Sequence, residues 1–366
     1  MRRPRALACG DLNNGGDLLL LLQNLEFDGP GAIVRRWIDL PEDIQRQVRD
    51  AGGRLVPGRR IVAFARQCLG RDLVIGGGQL VRDNTSVRAL AGLLLAALAV
   101  RISGGRVMTR GLGVSRLASR PRRLLWSMIL RLADRVNVRD HASERNAARL
   151  VAPRHVVRTA DMAFLETGSK QRLFARSEGA ARHGTVIAPC IDSSEGRTLA
   201  GPGLDALVEA AQAAGLADAV TIACHDPRPE MDPKAGAVLI ARYPGKPLAQ
   251  AQANGLPDLA ALYSRSALVL TNRLHAMIMA AHAGAPVIAL DQPEGKLTMY
   301  AAELGVAVVA PDAALTPQQA QALVAQAIGY DRTAREDAMA RVGREAARNL
   351  ESDAQARVIG AESLAV

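Results

Sequence analysis

Apolar and polar positions along the chain fall into a repeating rhythm: short apolar runs alternate with longer amphipathic or alanine-rich stretches. A run of four to eight apolar residues bounded by turn residues suits a strand buried on both faces, and a longer stretch with helical period suits a covering helix. In the first half this predicts strands at Arg5–Cys9, Asp72–Ile75, Arg106–Arg110, Arg135–Val138 and His155–Thr159, with helices over Asp17–Asn24, Thr85–Val100, Arg120–Ala133 and His141–Leu150. After the polar, basic stretch Thr167–His183, read as a linker, the rhythm restarts. Strands are expected at Thr185–Pro189, Ala219–Cys224, Ala237–Ile240, Ala267–Leu270, Pro286–Leu290 and Val306–Val309. Helices are expected over Leu204–Ala214, Leu256–Ser264, Leu274–Ala283, Lys296–Leu304 and Pro317–Gly329. Such alternation marks an α/β fold with parallel sheets. The expected organisation is two Rossmann-like domains, residues 1–170 and 183–330, facing a central cleft, with a helical tail, 331–366, packing back on the first.

Composition agrees with two ordinary domains: 366 residues, 49% hydrophobic, enough for full cores. Only 3% of residues are aromatic, so aliphatic and alanine packing must fill those cores. The net charge of +10 points to anionic partners. Thirteen arginines lie between Arg101 and Arg154 against three acids, yet Trp126 is the single aromatic residue among them and no zinc-finger or RNP pattern occurs. That favours a basic flank facing solvent or an anionic membrane surface over a nucleic-acid groove, and no nucleic-acid partner is expected. Cys9, Cys68, Cys190 and Cys224 form no CxxC pair and read as free thiols of a reducing compartment. Asp11 and Asp17 interrupt any export signal, and the apolar stretch Ala89–Val100 is too short to span a bilayer, so a cytoplasmic protein is expected, peripheral to the membrane at most.

The unusual residues cluster at predicted strand ends, where open α/β sheets bind ligands. After the first strand comes Asn14-Gly15-Gly16-Asp17, in which the glycines permit close backbone approach and Asp17 either caps a helix or faces the cleft. After the second comes Gly76-Gly77-Gly78-Gln79, which fits neither GxGxxG nor a Walker loop. Arg110 ends the third strand. Arg139-Asp140 ends the fourth, either to hold an anion or a hydroxyl, or as a packed ion pair. His225-Asp226 follows a later strand.

The most informative segment is Thr271-Asn272-Arg273-Leu274-His275, running into the small residues Ala276–Gly284. Asn272 is the expected N-cap of a helix whose first amides, with Arg273, would hold a phosphate or carboxylate. His275 stands where it could move a proton on the bound anion. The same residues could also merely decorate the rim of an ordinary α/β turn. No HExxH, EF-hand, DxD or paired His/Cys spacing supports a metal, and no GxSxG elbow supports acyl transfer.

Taken in order, the Asn14–Asp17 turn, the strand with triple glycine Asp72–Gly78, the Arg139–Ser143 segment, Asp161, and the Leu-Tyr-Ser-Arg-Ser-Ala to Arg273-Leu274-His275-Ala block ending in Gly284–Val287 resemble the polysaccharide pyruvyltransferase family. The resemblance spans about residues 8–165 and 220–305, and its Arg-Leu-His block is the specific part. It implies a GT-B-like fold, phosphoenolpyruvate as donor, a glycan or lipid-linked sugar diol as acceptor, a pyruvate ketal as product, and no cofactor or metal. By the same implication Arg273 and His275 are catalytic and, with Leu274 between them, bind the donor; the need of that chemistry for cationic groups at the donor's carboxylate and phosphate adds Arg139 or Arg110 as candidates. Asn14, Gly16, Asp17, Gly77, Gly78, Asp140 and His225 lie on the acceptor side or cleft. Two rivals remain at this level: a GT-B glycosyltransferase using a nucleotide sugar, and a non-catalytic glycan-pathway protein of the same fold.

Overall fold

The computed structural model describes residues 3–174, 182–190, 199–243, 248–253, 255–292 and 296–362. They form two compact units, one of Met1–Leu12, Asp17–Thr167 and Ala340–Val366, the other of Asn13–Gly16 and Gly168–Met339.

In the first unit, β1 (Arg5–Ala8), β2 (Ile33–Arg36), β3 (Arg54–Pro57), β4 (Asp72–Gly76) and β5 (Val107–Arg110) make a parallel sheet in the order β3-β2-β1-β4-β5. A further parallel pair, β6 (Val136–Val138) and β7 (Val156–Arg158), continues from it through a bridge between Leu112 and Val138. The helices are α1 (Gly15–Asp28), α2 (Glu42–Asp50), α3 (Ile61–Cys68), α4 (Val87–Ile102), α5 (Arg120–Arg131) and α6 (His141–Ala147). Ala6, Ile33, Leu73, Ile75 and Val107 are fully buried, because helices cover both faces of a parallel sheet.

The second unit has α7 (Gly168–Leu173) and the strands β8 (Thr185–Ala188), β9 (Val220–Cys224), β10 (Leu248–Gln252), β11 (Leu268–Thr271), β12 (Val287–Leu290) and β13 (Ala307–Val309). These six strands are parallel in the order β10-β9-β8-β11-β12-β13. Their covering helices are α8 (Pro202–Ala213), α9 (Asp232–Arg242), α10 (Leu256–Arg265), α11 (Leu274–His282), α12 (Lys296–Glu303) and α13 (Pro317–Ile328). Start signals are local and legible: Thr316 and Gln319 form a capping box ahead of α13, with Pro317 at its first position. The last helix, α14 (Arg332–Glu362), ends among the residues of the first unit. There the Asn349 side chain accepts from the Gly111 amide at 2.7 Å and from the Thr159 hydroxyl at 2.8 Å, and donates to the Ala160 carbonyl at 3.1 Å.

The fold is therefore α/β with two Rossmann-like parallel sheets. One expected strand is wrong: Ala237–Ile240 belongs to α9. Its apolar run imitates a buried strand, but Asp232, Gly236 and Leu239 are buried while Val238 and Ile240 face out, which is the helical period. The strand next to β9 is instead β10, and β2, β3, α2 and α3 were not anticipated between Asp17 and Asp72. Of the expected linker, residues 175–181 lie outside the described residues; within α7, Lys170 is buried with its amine 3.0 Å from His282 Nε2. Among the described residues no helix is long and apolar enough to cross a membrane, and no group of His, Cys, Asp or Glu could hold a metal ion.

Candidate functional site

The second sheet positions the site through the ends of β8, β9 and β11. Thr271, at the end of β11, turns the chain: its hydroxyl accepts the Arg273 amide at 2.9 Å and donates to the Ala188 carbonyl at 2.7 Å. The N-cap of α11 is consequently Arg273, with no side-chain capping bond, and not Asn272. Asn272 instead ties β11 to the end of β8, accepting the Cys190 amide at 2.6 Å and donating to the Cys190 carbonyl at 3.2 Å. With no side chain over the helix end, the amides of its first turn have no carbonyl of the helix behind them and retain the positive end of the dipole.

Arg273 is buried and forms an ion pair with Asp232 at the start of α9, while its Nε and Nη2 donate to the Pro189 carbonyl at 3.3 and 3.2 Å. Asp232 Oδ2 also accepts the His225 and Asp226 amides at 2.8 and 2.9 Å. Burial raises the Asp232 pKa; Arg273 and these two amides pull it back, and all three select the carboxylate. The pair thus joins three strand ends around one buried charge. Sequence reasoning missed Asp232, although Asp-Pro-Lys at 232–234 is a helix-start signature and could have placed it at the site.

His225 is buried, with Nε2 paired to the hydroxyl of the fully buried Tyr263. Burial, then the fields of Arg273 and His275, hold its pKa well below the ordinary histidine value, so it is neutral. His275 is half-buried on the first turn of α11. Leu274 beside it is buried, serving the core. The loop Asn13–Gly16, which clusters with this unit, lies against both histidines: the Gly15 amide donates to the His225 carbonyl at 2.9 Å. A Cβ on Gly16 would overlap the His275 ring, and one on Gly15 would come within 2.6 Å of Leu259. Asn14 Oδ1 accepts the Gly16 amide at 3.0 Å, making Asn14 the cap of α1.

The other expected site residues belong to the first unit, and most of their polar groups are already engaged. Arg110 is buried, with two bonds to Asp28 at 2.8 and 3.0 Å and one to Asn24 at 2.7 Å. Arg139 is buried between Asp161 (2.9 Å), Asp140 (3.2 Å) and Gln79. Arg110 and Arg139, both expected to hold the donor, are thus each held in an internal ion pair. Asp140 caps α6, accepting the Ser143 amide at 2.6 Å. Asp17 is not the cap of α1; it is half-buried and accepts the Asp11 amide at 3.0 Å. The triple glycine gives it room: Gly77 and Gly78 adopt φ of 80° and 81°, and a Cβ on Gly10 or Gly78 would overlap the Asp17 carboxylate. Burial pushes the Cys9 and Cys68 thiols up to about 12 and Cys224 up to about 11, so these three are unreactive neutral thiols.

Solved structures share this architecture across nearly the whole chain. The Anabaena protein HepE, solved with UDP-glucose, is 14% identical, with 96% of this chain and 100% of that one covered and a TM-score of 0.61. The UDP-GlcNAc 2-epimerase of Neisseria meningitidis, bound to UDP-GlcNAc, is 13% identical over 97% and 100%, with a TM-score of 0.57. The corresponding epimerase of Methanocaldococcus jannaschii is 11% identical over 91% and 94%, with a TM-score of 0.54. At such identities they establish the fold, which is GT-B-like. No curated protein matches the chain in sequence. The sequence profile described as polysaccharide pyruvyl transferase matches residues 33–293, a span that takes in Gly77, Arg139, His225, Asp232, Arg273 and His275. The chain belongs to the polysaccharide pyruvyl transferase family.

Proposed function

We propose that this protein transfers the pyruvyl group of phosphoenolpyruvate to a sugar diol of a bacterial cell-surface glycan precursor, forming a pyruvate ketal. The observation that carries the reading is the first turn of α11, where His275, held against Gly16, shares a helix end with the buried Arg273–Asp232 pair. The amides of that turn and the field of Arg273 attract the donor's carboxylate and phosphate. His275 delivers a proton to the methylene carbon, making C2 cationic. One sugar hydroxyl adds to C2 and loses its proton, the C2–O bond to phosphate breaks, and a second hydroxyl closes the ketal with loss of its own proton. Arg273 acts in this scheme as a positioning residue as well as a fixed charge, because Asp232 and the Pro189 carbonyl set its direction.

In the same proposal the protein works on the inner face of the membrane. The first unit supports this with a surface on which exposed Leu95, Leu98 and Ile102 of α4 and Leu124 and Met128 of α5 accompany exposed Arg120, Arg123 and Arg131. Because the structural neighbours were solved with UDP-sugars, a nucleotide-sugar transferase is the second reading.

Thermal stabilisation separates the two. A ligand specific to the folded state at a hundred times its dissociation constant adds about 2.7 kcal/mol. Phosphoenolpyruvate should raise the melting temperature where UDP-glucose and UDP-GlcNAc do not, and Arg273→Ala should abolish the shift. A shift with a UDP-sugar alone would replace the proposal by the second reading.

A further inference from the structure

The C-terminal edge of the first sheet carries a cavity of about 550 Å³, opening at the ends of β1, β2 and β4 beneath the start of α4. Strand order reverses at β1, which has β2 on one side and β4 on the other, and this is the position where open α/β sheets offer a crevice. One part of the wall is apolar: Ile38, Leu40, Ile61, Leu90, Leu93 and Trp126. The charged part consists of Arg35, Arg36, Arg59, Arg82 and Arg88 against a single acid, Asp11.

Arg35 is the unusual member. It is 0% exposed, yet no carboxylate pairs with it among the described residues. Its Nη2 donates to the Ala89 carbonyl at 3.3 Å, and its Nε and Nη1 are buried without a hydrogen-bond partner. The guanidinium carbon lies 3.3 Å from the Trp37 ring centroid and 4.9 Å from that of Phe64, so aromatic faces fix its plane. The backbone is shaped around it: a Cβ on Gly92 would come within 2.6 Å of Nη2, and one on Gly58 within 2.9 Å of its Cγ. Burial pushes the Arg35 pKa down to about 9, a penalty that a bound anion would relieve. Buried charges are ordinarily paired, and every other arginine placed above at a strand end has its carboxylate.

We propose that this cavity is a second anion site, built to take a phosphate or carboxylate carried on a sugar ring or an apolar body. The anion bonds Nε and Nη1 of Arg35, and the body rests on Trp37 and the apolar wall. Within the transferase reading this is the charged end of the acceptor, and in that respect the inference rests on that reading. The anion site itself does not.

Trp37 and Trp126, the only two tryptophans of the chain, both line the cavity, so intrinsic fluorescence reports on it directly. The intact protein is titrated with glucuronate, glucose 1-phosphate and geranyl phosphate, with glucose and geraniol as neutral controls. A saturable emission change with at least one anion, absent with its neutral control and weakened tenfold or more in Arg35→Gln, is expected. Glucuronate alone would mark an acidic glycan, glucose 1-phosphate a sugar phosphate, and geranyl phosphate a prenyl-linked one. Equal responses to charged and neutral ligands, or unchanged affinity in Arg35→Gln, would overturn the site. So would a phosphoenolpyruvate response that Arg35→Gln removes, since the donor would then occupy this cavity. If Arg35→Gln does not fold, competition in the wild type decides: inorganic phosphate should raise the apparent Kd of the responding anion in proportion to its concentration, and no competition counts against the proposal. Loss of melting stabilisation by phosphoenolpyruvate with the fluorescence response intact would sink the donor assignment and leave this site standing.

Discussion

Arg273 leaves the end of β11 and Arg35 the end of β2, and both guanidiniums are buried at the C-terminal edge of a parallel sheet. Around Arg273 the fold supplies Asp232, which itself gathers two backbone amides, and so the charge organises three strand ends. Around Arg35 it supplies two aromatic faces, one carbonyl and an arginine-rich cavity. A buried arginine with its own carboxylate can hold a scaffold in place while lending its field to a neighbour. One without a carboxylate keeps hydrogen-bonding capacity to spare, as Nε and Nη1 of Arg35 do. Identity and burial alone do not separate these roles; the counter-charge does.

Removing Asp232 makes the second edge resemble the first, and it should have the largest effect. Asp232→Ala leaves Arg273 buried without a counter-charge and orphans the His225 and Asp226 amides, at a cost of about 3–5 kcal/mol. Both tryptophans belong to the first unit, so the loss should appear in a circular-dichroism melt far more than in a tryptophan-fluorescence melt. Coincident melts at the wild-type temperature would refute the scaffold role of the pair.

His275 sharpens the comparison from the other side, being the half-buried titratable group beside the compensated arginine. His275→Ala should cut turnover by about 10²–10⁴, the range for loss of a general acid, while leaving stabilisation by phosphoenolpyruvate within a few tenths of wild type. An equal loss of donor binding would make His275 a binding residue rather than the acid. Gly16→Ala should be milder, lowering turnover by roughly tenfold, because its methyl group must displace the imidazole that overlaps it and misplaced catalytic groups lose rate. Wild-type turnover in Gly16→Ala would show that the ring position against Asn13–Gly16 is incidental.

How far each edge could be read from sequence follows from where its partners sit in the chain. The run from Leu268 to His282 carries its own signals, an apolar strand, a polar turn and a small-residue helix, and β11 and α11 fall where the pattern put them. The partner of Arg273 lies 41 positions upstream, in a helix whose Ala-Val-Leu-Ile run reads as a strand, so the ion pair had no local trace. The Asn272 cap was a local inference overridden by a distant partner, Cys190, on the adjoining strand end. At the first edge Arg35 interrupts the apolar run of β2, and a strand that ends in two arginines looks like surface chain. Arg110 and Arg139 stood correctly at strand ends, but their carboxylates, Asp28 and Asp161, lie 82 and 22 positions away. Position along a strand is a short-range property; compensation of charge is a long-range one.

The smallest effect tests whether the second edge holds its neighbouring histidine neutral, as the proximity of Arg273 requires. The His225 pKa is depressed in the folded state by burial, by Arg273 and by His275, while in the unfolded chain it sits near 6.5. Below 6.5 the unfolded chain takes up a proton that the native state refuses, so stability is fully present above that pH and is lost as pH falls through it. The slope for one such group approaches about 1.4 kcal/mol per pH unit. Between pH 6.5 and 5 the wild type should therefore lose stability faster than His225→Gln, with the two curves parallel above pH 7.5. His225→Gln also removes the bond to Tyr263, which lowers its curve at every pH and leaves the difference in slope as the diagnostic quantity. Equal slopes would mean that His225 protonates in the folded protein despite Arg273, and the compensated edge would then tolerate a second positive charge that the uncompensated edge at Arg35 does not hold.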